Sequence, residues 1–198
     1  YCTGTISEES REALLSRYCK TMEIGNHFWE LEDDCTLKNG IDIDIIYRNL
    51  DDFINGISNV VDKGQAYNGY TTCMWHNLCN CKILYDKEKR LTEAQRKYRI
   101  PYPEHLRNNI IEKNRTLLRG SMPAFENQIL KAVERGDLVS VNHRVTEFVA
   151  SYFDIIFSYL KTKRIYNILR SKQFYRHSIH CLCVNTVVPD KAAQDLAE

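Results

Sequence analysis

Two aspartates one residue apart, Asp42 and Asp44, stand in the run Gly40-Ile41-Asp42-Ile43-Asp44-Ile45-Ile46-Tyr47. The β-branched residues around them favour a strand. Successive strand side chains point to opposite faces, so both carboxylates share one face, roughly 7 Å apart at about 3.4 Å per residue. Ile41, Ile43, Ile45 and Tyr47 take the other face, where they can pack. Carboxylates aimed at one region repel unless a cation, a proton or water relieves them. The pattern fits a divalent metal held on a sheet, with Asp44 and Asp42 as ligands. It also fits the solvated face of an edge strand, since half-buried strands alternate in this way routinely.

A second candidate lies in the long periodic stretch from Asp137 to about Leu160. Leu138, Val141, Val145, Phe148, Tyr152, Ile155 and Tyr159 fall on one helical stripe. Ser140, His143, Glu147, Ser151 and Asp154 fall on the other side. A His and a Glu one turn apart can bind a substrate or move a proton, which makes His143 and Glu147 candidates for that work if the side faces a cleft. A solvated helix face is the ordinary reading of the same pattern.

Eight cysteines are present. They sit in apolar or helical patterns of a chain long enough to build a core, which predicts free buried thiols in a reducing cytoplasm. Zinc is the alternative. Cys79-Asn-Cys81 and His177-Ser-Ile-His180-Cys181-Leu-Cys183 supply the ligand types, but neither has the usual C-x₂₋₄-C spacing. From Lys161 to Arg176 the chain carries only basic charges, interleaved with Tyr166, Phe174 and Tyr175. Such a tail could meet RNA through phosphates and stacking, although spaced cations usually mark a solvated surface.

The elements that would position these groups follow from local signals. Ser7 caps a helix that the spacing of Leu14, Leu15, Tyr18 and Met22 carries to about Met22. His27 to Glu32 reads as a strand, Asp33 to Gly40 as a connection ending in the Asn39-Gly40 turn, and the Asp42/Asp44 strand follows. Helices are expected over Leu50 to Lys63, Tyr70 to Asn80 and Leu91 to Tyr98, with a short strand at Lys82 to Tyr85. Two prolines make Ile100 to Pro103 the best linker. Beyond it, helices are expected at Glu104 to Arg119, from Pro123 to before Gly136, and after the Asp137 cap. The expected organisation is an α/β part over residues 1–99, a helical part over 104–160 and an irregular basic tail over 161–198.

Charged residues make up 27% of the chain and the formal net charge is +1, so bulk charge points to neither nucleic acid nor a membrane surface. No apolar run approaches the roughly 18 residues of a membrane helix. The first residues are polar and acidic, unlike a signal peptide, and the expected location is cytoplasmic.

Met22 to Arg48 carries Glu23-Ile24-Gly25-Asn26-His27-Phe28-Trp29-Glu30-Leu31-Glu32-Asp33-Asp34 and then Gly40-Ile41-Asp42-Ile43-Asp44-Ile45-Ile46-Tyr47-Arg48. This stretch resembles a bacterial nucleotidyltransferase-like family of the DNA polymerase beta superfamily, near the kanamycin and lincosamide nucleotidyltransferases. Cys81-Lys82-Ile83-Leu84-Tyr85-Asp86 is similar to a later strand of that fold. Asn142-His143-Arg144-Val145-Thr146-Glu147-Phe148 is similar to its helical C-terminal domain. The resemblance covers roughly residues 1 to 158. It implies an α+β chain, with a partial nucleotidyltransferase mixed sheet and flanking helices followed by an all-α bundle.

The implied reaction is metal-dependent transfer of a nucleoside monophosphate from an NTP to a hydroxyl of a small acceptor such as an antibiotic, through two Mg²⁺ ions. Three acids of the family hold the metals. Asp44 matches the third, with Asp42 as its neighbour. The Gly-Ser turn and first Asp-x-Asp are not found in these 198 residues. The chain is therefore expected to be N-terminally truncated and inactive alone. The rival expectation is a non-catalytic binding or regulatory module of the toxin–antitoxin kind.

Overall fold

The computed structural model describes residues 1–27, 30–120 and 123–163. The architecture is α+β, with helices and a three-stranded sheet of order β1-β2-β3. Contacts gather the chain into two compact units. Among the described residues, 1–66 and 81–110 form one, and 67–80 and 111–163 form the other. The Ile100–Pro103 stretch lies within the first, and helix α5 (Glu104–Leu118) contributes to both.

The first unit opens with α1 (Glu8–Leu15). The Ser7 side chain accepts from the Ser10 N–H, and Glu8 and Glu9 occupy the first turn, where the helix dipole favours acids. The helix ends at Leu15 rather than near Met22, because Cys19–Asn26 forms β1. Met22 follows the strand alternation, half-buried between exposed Thr21 and Glu23, and the pairing partner prevails over a helical spacing of only two turns.

Strand β2 is Glu32–Leu37 and β3 is Asp42–Ile46. The expected connection over Asp33 to Gly40 is thus mostly strand, and only Lys38-Asn39-Gly40 turns. Gly40 adopts φ +87°, the left-handed conformation that glycine tolerates without penalty. All three strands are antiparallel, so the sheet is not mixed. The parallel contribution is a single bridge, in which Cys2 N–H donates to the Arg48 carbonyl and Leu50 N–H to the Cys2 carbonyl.

One face of the sheet is closed by a buried ionic cluster. Asp33 is fully buried and accepts from the Gly25 N–H at 2.9 Å and the Tyr47 hydroxyl at 2.8 Å. Arg11, buried on α1, places Nη1 3.1 Å from the same carboxylate and stacks over the Tyr47 ring. Burial first, then the bond to Asp33, pushes the Tyr47 hydroxyl up to about 12. Elsewhere Tyr1 stacks on Phe53, and Arg48 forms a bidentate pair with Glu30 at 2.6 Å per bond. Helix α2 (Leu50–Val61), capped by Asn49, buries Leu50, Phe53, Ile57, Val60 and Val61. Each such side chain is worth about 1.5–3 kcal/mol of transfer free energy. Helix α4 (Arg90–Tyr98) packs on α2, and the buried Tyr98 hydroxyl donates to Asp62 at 2.9 Å.

Lys82–Tyr85 forms no strand. It carries a bend at Leu84, with Leu84 85% and Tyr85 82% exposed. Its apolar sequence has the propensity for a ladder, but no neighbouring strand pairs with it among the described residues.

The second unit contains α3 (Cys73–Asn80), the end of α5, α6 (Phe125–Glu134) and α7 (Leu138–Tyr159). Gly136, at φ +66°, and the Asp137 cap turn α6 into α7, and these two helices pack together. Leu118, Phe125 and Ile155 form an apolar cluster with Ile111, Leu117 and Phe148 around it.

Helix α7 buries part of its polar side as well as part of the apolar stripe. Ser151, Asp154 and Ser158 are buried beside Ala150 and Ile155, while Leu138, Val145 and Tyr152 are exposed. The cause is the segment Tyr67–Thr72, which lies against α7. Gly69 approaches so closely that an added Cβ would stand 2.9 Å from the Ala150 Cβ. The Thr71 N–H donates to Asp154 at 3.0 Å, and the Gly69 N–H donates to the buried Asn114 at 3.2 Å. A backbone held this near a helix needs small side chains and acceptors, not leucines.

Candidate functional site

The sheet register assembles more acids than the Asp42/Asp44 pair. Asp44 stands directly opposite Asp34, and Asp34 opposite Glu23 on the next strand. Asp42 stands opposite Thr36, and Thr36 opposite Thr21. Directly paired residues project to the same face of a sheet, with Cβ atoms about 4.5–5.5 Å apart. Glu23, Asp34 and Asp44 therefore form a row across all three strands, with Asp42 two residues along.

This face is wet. Glu23, Asp42 and Asp44 are exposed and Asp34 is half-buried. Two of the acids are oriented by neighbours. Asp34 Oδ2 accepts from the Asn26 side-chain amide at 2.8 Å, and Asp42 Oδ1 accepts from the Thr36 hydroxyl at 2.8 Å. No ion-pair partner of the four acids is found among the described residues. Like charges facing each other across strands destabilise a sheet, so this row is a local cost that a bound cation would relieve. Among the described residues no three His, Cys, Asp or Glu side chains converge closely enough to cage an ion by themselves. The chemistry of the row suits a Mg²⁺ that keeps waters and takes substrate phosphates as its other ligands.

The opposite face explains why the acids are held in line. The Arg11–Asp33–Tyr47 cluster ties α1, β2 and the end of β3, so β2 is anchored one residue before Asp34. Glu23 and Asp34 were not identified from the sequence alone. Their signal was available only through pairing, because neither belongs to a short motif and Asp34 lay in a stretch assigned to a connection.

His143 and Glu147 lie one turn apart on α7, in the second unit, with His143 exposed and Glu147 half-buried. Asp154, of the same polar side, faces no cleft: it is 2% exposed and caps the Thr71 N–H. Among the zinc candidates, Cys79 is buried and Cys81 half-buried. His177, His180, Cys181 and Cys183 lie outside the described residues, as does the basic tail beyond Lys163. Near that boundary Lys163 Nζ stacks over the Trp75 ring at 4.2 Å and meets Cys79 Sγ at 3.6 Å. Burial, then the Lys163 charge, lowers the His76 imidazole below its ordinary value.

No helix among the described residues is long and apolar enough to cross a membrane. Residues 71–168 are similar to a family described as a domain of unknown function (DUF4037). The matched stretch begins at the Thr71–Asp154 contact and includes all of α3, α5, α6 and α7. No curated protein matches the chain, and no solved structure does.

Proposed function

We propose that this chain is a nucleotidyltransferase-like protein whose sheet presents Asp44, with Asp42 and Asp34 beside it, to a divalent cation. The observation that carries the reading is the register, which sets Asp44 against Asp34 and Glu23 on one solvated face. The sequence likeness around Met22 to Arg48 supports the same reading. The family reaction transfers a nucleoside monophosphate from an NTP to a hydroxyl of a small acceptor. Mg²⁺, when bound, supplies charge neutralisation of the phosphates and activation of the attacking oxygen. The chain's own part is to hold carboxylates in line on a rigid sheet. His143 and Glu147 are proposed for acceptor binding or proton transfer. The proposed ligands are the NTP and the acceptor; neither a membrane nor a nucleic acid is invoked.

A second reading is a binding module that keeps the sheet without the chemistry. The hydrogen bonds already made by Asp34 and Asp42 favour it, since a solvated strand face is satisfied in this way. Titration of the chain with Mn²⁺ separates the two. The metal reading expects saturable binding that Asp44→Asn and Asp34→Asn each weaken about tenfold, the equivalent of about 1.4 kcal/mol. Binding that is absent, or indifferent to both substitutions, leaves the second reading. Transfer of label from an NTP to candidate acceptors by these 198 residues is expected to be absent, since the Gly-Ser turn and first Asp-x-Asp are not found in them, and transfer would overturn that expectation.

A further inference from the structure

Cys19 opens β1 opposite Leu37, and Cys35 on β2 stands opposite Met22. The register slips between Cys19 and Thr21, leaving Lys20 as an extra residue on β1. Lys20 and Thr21 are both exposed, as the two residues of a β-bulge are when they share one face. The bulge thereby turns Cys19 to the buried face, the face of Leu37 and Cys35. Both cysteines are 5% exposed, both are free thiols, and the register makes them diagonal neighbours on one buried face of the β1–β2 ladder.

We propose that Cys19 and Cys35 are an oxidisable pair, which a peroxide closes into a disulfide joining β1 to β2. Cys19 is the first to react, because it begins an edge strand at an irregular point of the ladder, where local opening costs least. Its thiolate attacks one peroxide oxygen. A sulfur–oxygen bond forms, the oxygen–oxygen bond breaks, and hydroxide leaves and takes up the thiol proton as water. Cys35 sulfur then attacks the sulfenic sulfur. The sulfur–sulfur bond forms, the sulfur–oxygen bond breaks, and a second water leaves with the Cys35 proton. Two thiols and one hydrogen peroxide give one disulfide and two waters; the sulfurs supply the two electrons.

Diagonal neighbours in a regular ladder have Cα atoms about 7–8 Å apart, whereas a disulfide wants about 4.4–6.8 Å. The extra residue at Lys20 is the slack that lets β1 close this difference without breaking the pairing from Thr21 to Glu23. The inference is independent of nucleotidyl transfer.

The test uses the whole chain under native conditions. Hydrogen peroxide is added, remaining thiols are alkylated, and a non-reducing peptide map is read by mass spectrometry. The expected product is a linked Cys19–Cys35 peptide that dithiothreitol reverses, formed ahead of any link among the other cysteines. Cys35→Ser should trap Cys19 as a sulfenic acid that a dimedone-type probe labels, with no new disulfide. The wild-type map stands even if that variant fails to fold. Recovery of Cys19 and Cys35 as alkylated thiols while other cysteines are oxidised overturns the proposal, as does a disulfide from either to a different partner.

Discussion

Gly69→Ala is the sharpest perturbation of the second unit, and Gly136→Ala is its control. Both glycines have positive φ, +78° and +66°. Placing alanine in that conformation costs about 1 kcal/mol at either position. They differ in what surrounds the missing side chain. A Cβ at Gly136 meets nothing within 4 Å. A Cβ at Gly69 meets the Ala150 Cβ at 2.9 Å and the Ala150 backbone carbon and oxygen at 3.1 and 3.2 Å. Backbone atoms of a helix yield poorly, so the Gly69 variant carries an added overpacking cost of about 1–3 kcal/mol. The segment also holds the Thr71–Asp154 and Gly69–Asn114 hydrogen bonds, which a shift of the loop would lengthen. Urea unfolding followed by far-UV circular dichroism and tryptophan fluorescence measures both variants. The expected losses are about 1 kcal/mol for Gly136→Ala and about 2–4 kcal/mol for Gly69→Ala. Ala150→Gly in the Gly69→Ala background should recover part of the difference by removing the nearest atom. Equal losses at the two glycines would refute the close approach of Tyr67–Thr72 to α7.

Two further predictions concern the first unit. Arg11→Ala leaves Asp33 buried without its cation and should cost about 3–5 kcal/mol in urea unfolding. Adding Asp33→Asn should restore part of it, and a cost below 1 kcal/mol for the single variant would mean that Arg11 is not a true partner. The second prediction concerns acid. Burial alone would raise the Asp62 carboxyl, yet the bonds from Tyr98, Ser58 and Lys97 hold it below the ordinary value. A carboxyl depressed in the folded state stabilises above its unfolded pKa of about 3.9, and that contribution is lost as pH falls below it. Stability should therefore drop below about pH 4 less steeply in Tyr98→Phe than in the parent, by calorimetry across the acid range; identical slopes would remove Tyr98 from the account.

Where a local rule had no competitor, the sequence carried the answer. The Ser7 and Asp137 caps, the Asn39-Gly40 turn, the helix end before Gly136 and the Asp42/Asp44 strand all stand as read. Other readings met tertiary competitors, the Asp33–Gly40 connection that is mostly β2 among them. Met22 has helical spacing, but strand pairing across β1 and β2 claims it. Lys82–Tyr85 has strand propensity without a strand to pair with among the described residues. Helix α7 keeps Phe148 and Ile155 of its apolar stripe inward but also buries Ser151 and Asp154 of its polar side, because a loop backbone, invisible to any hydropathy wheel, lies against them. The candidate site divides in the same way. Asp42 and Asp44 share a face by strand periodicity alone, whereas Glu23 and Asp34 join them only through a register shifted by bulges, which no short-range pattern encodes.

The bare Leu84–Tyr85 step has a consequence for how molecules of this protein meet one another. An unladdered, greasy step is an adhesive tip for a like segment on another molecule. Its flanks are charged, with Lys82 before it and Asp86-Lys87-Glu88-Lys89 after it. Such flanking charges act as gatekeepers by strong hydration. Their signs alternate and nearly cancel, so the guard is the water they hold and not a repulsion that salt can screen. Self-association at this tip should therefore answer to the loss of those charges far more than to ionic strength.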